Sequence, residues 1–132
     1  DNCDSGQFKA IQEASAAVVA DKDVAQSICT HYEVRLKKMV EILKRCGFDA
    51  SMPGGTFYLY VKAPVGAGEV TFDSAEDAAL YLIETAGIST VPWDNTGAYL
   101  RFGAVFESKN DADDDRVLGL MEERLRDAAL RF

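Results

Sequence analysis

The chain has 132 residues, 48% hydrophobic and 27% charged, which is typical of one soluble globular domain. Its net charge of -8 argues against nucleic acid as a partner, because a phosphate backbone repels an acidic surface. No apolar run approaches the roughly 20 residues of a membrane span, so we expect no membrane partner. The three cysteines cannot form a complete set of disulfides and favour a reducing compartment. Because the first residue is not methionine, we expect a piece of a longer protein.

Two helices are predicted in the first third of the chain. The first covers residues 5–20, with Ser5 as its cap and only a thin apolar stripe. Residues 21–23 separate it from the second, a long helix that follows to about Cys46, where apolar residues recur every three or four positions, and Gly47 ends it. The basic side chains of this second helix are expected to form its solvated face: Arg35, Lys37, Lys38, Lys44 and Arg45.

A strand, a loop and a helix follow. Residues 56–62 alternate as a strand, with one face expected in the core: Phe57, Leu59 and Val61. Residues 63–68 contain proline and glycine and are predicted to be a surface loop. Ser74 is expected to cap a helix that ends at Gly87.

The last third of the chain predicts two strands and a helix. Residues 88–91 form a brief strand, and residues 98–106 form a longer one that we expect to pair with strand 56–62. The final helix is predicted to bury one stripe: Val117, Leu120 or Met121, Leu125 and Ala128. This order predicts an α/β (α+β) two-layer fold, in which helices cover one face of a small, mostly antiparallel sheet.

Arg101 is the residue whose position suggests binding. Alternate residues of its strand form a core face: Leu100, Phe102, Ala104 and Phe106. Arg101 therefore lies on the opposite face, between an aromatic ring at Tyr99 and the small Gly103. A guanidinium group suits a carboxylate, because two parallel charge-assisted hydrogen bonds fix both its position and its orientation. From the pattern alone, a merely solvated arginine remains the alternative.

No other segment predicts a catalytic, cofactor or metal site. His31 is the only histidine, and no nucleophile stands beside it. The Gly54-Gly55 pair lacks the spacing of a phosphate-binding loop. The acidic run 109–115 lacks the glycine and the distal glutamate of an EF-hand calcium loop, so we expect these acids to start a helix. Arg101 is the one binding residue predicted.

Four segments together resemble a known family. They are "DSGQFKAIQEA", "MPGGTFYLYVKAP", "STVPWDNTGAYLRF" and the closing amphipathic helix. In this order they are similar to the C-terminal part of class I/II, fold-type-I aminotransferases that depend on pyridoxal phosphate, and most similar to the LL-diaminopimelate aminotransferase group. Each segment alone is a weak signal, whereas the set covers nearly the whole chain.

The resemblance implies what the parent protein does. It implies a homodimeric transaminase, with pyridoxal phosphate as cofactor, that moves an amino group between an amino acid and a 2-oxo acid in lysine biosynthesis. In that family the arginine of the "RF" strand binds the substrate α-carboxylate, and it corresponds here to Arg101. The residue that follows "RF" is usually serine in the family and is Gly103 here. Residues 1–20 would belong to the edge of the large cofactor domain, and residues 21–132 would form the small domain.

The same resemblance implies that the 132 residues are incomplete as an enzyme. The family's Schiff-base lysine stands in a serine-lysine-glycine-arginine context that none of the seven lysines here shares. The groups that hold the cofactor's phosphate and pyridine nitrogen also lie upstream. We therefore expect the chain alone to bind no cofactor and to be inactive.

Two alternatives remain open at this stage. One is a stand-alone α/β binding or dimerisation module, in which Arg101 is solvated and no catalysis takes place. The other is self-association of the isolated chain through surface that faced the missing domain, with these residues as candidates: Phe8, Val18, Val19 and Trp93. For the parent we expect a cytoplasmic location, or a plastid in a photosynthetic eukaryote.

Overall fold

The computed structural model describes residues 6–132, so the predicted cap Ser5 lies outside the described residues. In chain order the elements are α1 (Lys9–Ala20), α2 (Lys22–Arg45), β1 (Tyr58–Lys62), β2 (Gly66–Ala67), β3 (Val70–Thr71), α3 (Ala75–Ala86), β4 (Val91–Trp93), β5 (Tyr99–Gly103), α4 (Asp111–Asp127) and β6 (Leu130–Arg131). The chain divides into two compact units between Glu33 and Val34. No helix of the described part is long and apolar enough to cross a membrane.

The first unit contains α1 and the beginning of α2. None of the residues of α1 is buried, and its apolar side chains are largely exposed, Val19 at 85%. The apolar stripe predicted for the second helix also begins here, yet Ile28 is exposed. The thin apolar stripe predicted for the first helix therefore corresponds to a helix, α1, that has no buried residue.

In the second unit, the remainder of α2 supplies one wall of the core. Its buried residues all follow the boundary between the units: Arg35, Leu36, Met39, Val40, Ile42 and Leu43. The helix ends at Arg45, and Gly47 has a φ of +96°, as its predicted role as a stop residue requires.

An antiparallel sheet of three strands in the order β1-β5-β4 carries the residues of interest. The predicted pairing of the two long strands is confirmed, since Tyr60 on β1 lies opposite Arg101 on β5. One face packs into the core through alternate residues: Leu59, Val61, Leu100 and Phe102. Phe57 was expected on that face but precedes β1 and is half exposed, so that part of the prediction is wrong.

The brief strand predicted at residues 88–91 is shifted to Val91–Trp93 and includes Pro92. Proline lacks the N–H that a central strand must donate, and for this reason the predicted strand ended before Pro92. Because β4 lies at the edge of the described sheet, beside β5 only, its outer side needs no such donor.

A second small sheet, in the order β3-β2-β6, was not predicted. Residues 63–68 were expected to be a surface loop, but this is wrong, because they contain β2, whose Gly66 and Ala67 are both buried. Strand β2 pairs with β6 from the end of the chain, opposite Arg131 and Leu130. A two-residue strand carries no periodicity, so only this distant partner distinguishes it from a loop.

The predicted caps of α3 are confirmed. The Ser74 hydroxyl accepts a hydrogen bond of 3.1 Å from the Asp77 N–H, and Gly87 follows the helix with a φ of +62°. In α4 the acidic run starts the helix as expected, with the Asn110 side chain accepting from the Asp113 N–H. The buried apolar residues of α4 are Leu118 and Leu125. Leu125 was predicted, but Leu118 is buried in place of Val117, so the predicted stripe is only partly right.

Gly66 offers a stability test of the second sheet. A Cβ atom at this position would collide with the carbonyl oxygen of Val70 and with the guanidinium of Arg131. We expect Gly66→Ala to lower the free energy of unfolding by about 1 to 3 kcal/mol in urea denaturation of the 132-residue chain.

The matched control is Gly119→Ala within α4, where a Cβ atom would meet open space. Alanine favours a helix interior over glycine, so this substitution should raise stability by about 0.5 to 1 kcal/mol. Equal effects of the two substitutions would contradict the close approach of β2 and β3.

Candidate functional site

The sheet face opposite the core is open and rich in aromatic side chains. Because Tyr60, Arg101 and Val91 are opposite one another across the three strands, their side chains share this face. Tyr99 and Trp93 form the next opposite pair. Three members of this face are more than 40% exposed: Tyr60, Val91 and Trp93. We call this surface, with Tyr58 included, the open face.

Arg101 lies at the centre of the open face, on the middle strand. Its side chain is half-buried, and its Cζ atom lies 4.9 Å from the centroid of the Tyr58 ring. With residues 6–132 the guanidinium makes no hydrogen bond or ion pair. Arg101 Cζ therefore lies over the Tyr58 ring, and the N–H donors of the guanidinium have no partner within the described chain.

Two further tyrosines flank the guanidinium and are themselves fixed. The rings of Tyr60 and Tyr99 are stacked, with centroids 4.6 Å apart and planes 13° apart. The Tyr60 hydroxyl also shares a hydrogen bond of 3.1 Å with the hydroxyl of Thr96 in the β4–β5 turn. Asp94 fixes this β4–β5 turn to the helix, because its carboxylate accepts a hydrogen bond from the Ala75 N–H at the start of α3. The open face thus presents a cation among ordered rings.

Arg35 shows what a structural arginine looks like in the same molecule. It is buried, and its Nε and Nη2 atoms donate to the two carboxylate oxygens of Asp114 at 2.9 and 2.8 Å. Its Nη1 donates to the carbonyl oxygens of Ala104 and Phe106, and its Nη2 to the hydroxyl of Ser108. The prediction that it belongs to the solvated face of α2 is wrong.

The sequence held one signal for this burial. Arg35 stands between Tyr32 and Met39 at spacings of three and four, which puts it on the apolar stripe of the helix. A charged residue at such a position is rarely buried without a partner, and the partner, Asp114, is 79 residues away. Its donors are all used inside the fold, so Arg35 is not a ligand-binding group.

The other candidates considered in the sequence make no comparable site. Among residues 6–132, no group of three or more histidine, cysteine, aspartate or glutamate side chains could hold a metal ion. His31 is exposed and has only an edge-on contact with the Tyr32 ring. In the acidic run, Arg116 donates to Asp113 and holds the pKa of that carboxyl below its ordinary value.

The fold has known counterparts. The chain superposes on an aminotransferase structure from Staphylococcus aureus with a TM-score of 0.72 and 17% identity, over 93% of this chain and 32% of that one. The fold, with its small antiparallel sheets and covering helices, is that of an aminotransferase small domain. No family model matches the chain.

The sequence relatives are more specific. The whole chain is 45% identical to the LL-diaminopimelate aminotransferase of Methanocaldococcus jannaschii and 44% identical to that of Methanococcus maripaludis. It matches the C-terminal portion of LL-diaminopimelate aminotransferases, which confirms the family resemblance. The chain spans only about a third of the length of these relatives, 34% and 33%.

Aminotransferase relatives imply pyridoxal phosphate as the cofactor of the parent family. Such a site requires a lysine amine for the covalent link and donors for a phosphate group. The lysines of this chain do not fit that role, because six are exposed and the seventh, Lys38, is bonded to Asp115 at 2.6 Å. Lys62, the lysine of β1, is also exposed on the strand next to Arg101. None of the seven lysines therefore has the surroundings expected of the lysine that forms the covalent link to this cofactor.

Proposed function

We propose that this chain is the small domain of a pyridoxal-phosphate-dependent transaminase and that Arg101 binds the α-carboxylate of its substrate. The observation that carries the proposal is the guanidinium on the middle strand, half-buried, with its Cζ atom 4.9 Å from the centroid of the Tyr58 ring and without a carboxylate partner among residues 6–132. A structural arginine in the same fold, Arg35, has all its donors engaged. Two parallel charge-assisted bonds to a carboxylate would engage the in-plane donors of Arg101.

The domain would act by closing over a substrate held at the larger domain. Closure brings the guanidinium to the carboxylate and excludes water, and it positions the substrate without any chemistry from these residues. The names of the relatives suggest LL-diaminopimelate as a substrate. The family resemblance implies exchange between an amino acid and a 2-oxo acid, in lysine biosynthesis. For the full-length protein we propose a homodimer that is located in the cytoplasm or in a plastid.

We propose a domain boundary near residue 20 for the parent protein. Residues 1–20 would lie at the edge of the large domain, and residues 21–132 would form the small domain. The complete exposure of α1, described from Lys9 to Ala20, supports the assignment of this helix to another domain, since an amphipathic helix is stabilised mainly by what it packs against. The two compact units themselves divide further on, between Glu33 and Val34.

The chain alone is proposed to be inactive and to bind no cofactor, and this can be measured directly. The 132-residue chain and the product of its full reading frame would be assayed for transamination and for the visible absorbance of bound pyridoxal phosphate. Both signals are expected from the longer protein only. Transamination by the short chain would overturn the proposal, and a reading frame that begins near Asp1 would favour a stand-alone binding module instead.

A further inference from the structure

Among residues 6–132, the ring of Tyr58 lies beneath the guanidinium of Arg101, with 4.9 Å from Cζ to the ring centroid. The two residues lie diagonally across neighbouring antiparallel strands, because Tyr58 is opposite Gly103 and Arg101 is opposite Tyr60. Diagonal neighbours on one face of a sheet are within reach of aromatic side chains. The contact is thus built into the register of β1 and β5.

Gly103 leaves the position on β5 directly opposite Tyr58 without a side chain. A side chain at Gly103 would stand directly opposite Tyr58 on the same face and would compete with Arg101 for contact with the ring. Gly103 is exposed, and a Cβ atom there would meet only the Val105 side chain, at 3.3 Å. The ring of Tyr58 therefore has Arg101 as its neighbour on β5.

The geometry of the contact suits a binding arginine. An arginine loses rotamer freedom when it is held in one place, which lowers its affinity for any ligand that it must be ordered to bind. A ring packed beneath the guanidinium Cζ restricts that motion before the ligand arrives and uses none of the N–H donors. A hydrogen-bonding partner would restrict it equally well but would occupy the donors, as Asp114 does for Arg35.

We propose that Tyr58 is a positioning residue whose ring holds the Arg101 guanidinium in place, with its N–H donors free, for the carboxylate of the substrate. This inference rests on the proposed function of Arg101 and adds the residue through which that arginine is preorganised. The role belongs to the ring and not to the hydroxyl, for which the structure gives no hydrogen bond among residues 6–132.

The test compares two replacements in the full-length enzyme. Tyr58→Phe keeps the ring and is expected to change the KM for the amino-acid substrate by less than twofold. Tyr58→Leu removes the ring and should raise that KM by roughly 3- to 10-fold, with kcat within about twofold. For an amine analogue that lacks the α-carboxylate, Tyr58→Leu should leave kcat/KM unchanged, which a general loss of structure would not.

A double-mutant cycle with Arg101→Met separates this inference from the proposed function. If Tyr58 acts through Arg101, Tyr58→Leu should have no effect on KM once the guanidinium is gone. An equal effect in both backgrounds, or a Tyr58→Leu enzyme with an unchanged KM, overturns the positioning role. If Arg101→Met itself leaves the specificity constant unchanged, the proposed function fails as well. Should Tyr58→Leu not fold, Tyr58→Gln provides a second ring-free variant for the same cycle.

Discussion

Replacing Arg101 with alanine in the full-length enzyme is expected to lower kcat/KM for the amino-acid substrate by about 30- to 1,000-fold. This corresponds to roughly 2 to 4 kcal/mol of transition-state binding, the usual cost of losing one partner of a desolvated charge-assisted pair. Arg101→Lys should recover part of the loss, because an ammonium group retains the charge but not the planar fork. Steady-state kinetics on the purified variants measure both effects.

The matched control for Arg101 is Arg116→Ala in the first turns of α4. Arg116 is exposed and donates to Asp113 on its own helix, so its removal should leave kcat/KM within about twofold of the unaltered enzyme. An Arg101→Ala enzyme that behaves like the Arg116→Ala enzyme would rule out the carboxylate-binding role.

Removing one partner of the buried pair should have the largest effect on stability. Arg35 and Asp114 both have side chains only 7% exposed, and three further acceptors surround the guanidinium. Asp114→Ala leaves that guanidinium buried without its counter-charge, which is expected to cost about 3 to 5 kcal/mol in urea denaturation of the 132-residue chain. Lys38→Ala, which breaks an exposed pair with Asp115, should cost less than about 1 kcal/mol.

The double variant Arg35→Met/Asp114→Leu tests the reason for that cost. With both charges gone, no ionised group is left buried, so the loss should be clearly smaller than the sum of the two single losses. A loss under about 1 kcal/mol for Asp114→Ala would mean that the pair does not hold α2 to α4. Additive single losses would mean that the two side chains act independently.

The sequence predicted the elements that carry local signals. Ser74 and Gly87 mark the ends of a helix by their own chemistry, and the alternation around Leu100 and Phe102 defines a strand with one buried face. Once that face was known, the outward direction of Arg101 followed, because side chains alternate along a strand. The central strand and its arginine were therefore accessible from the sequence.

The features that were missed depend on residues far apart in the chain. Arg35 looked solvated because Asp114 is 79 residues away. Strand β2 looked like a loop because its partner β6 lies at the other end of the same unit. The contact between Tyr58 and Arg101 needed the register of two strands, which no spacing within either strand can supply.

The most direct measurement of the central claim is a crystal structure of the full-length enzyme with its amino-acid substrate bound. We predict that both oxygen atoms of the substrate α-carboxylate lie about 2.7 to 2.9 Å from guanidinium nitrogens of Arg101, as in a bidentate pair. A substrate carboxylate held by other residues, with Arg101 pointing to solvent or paired with a carboxylate of the protein, would contradict the account.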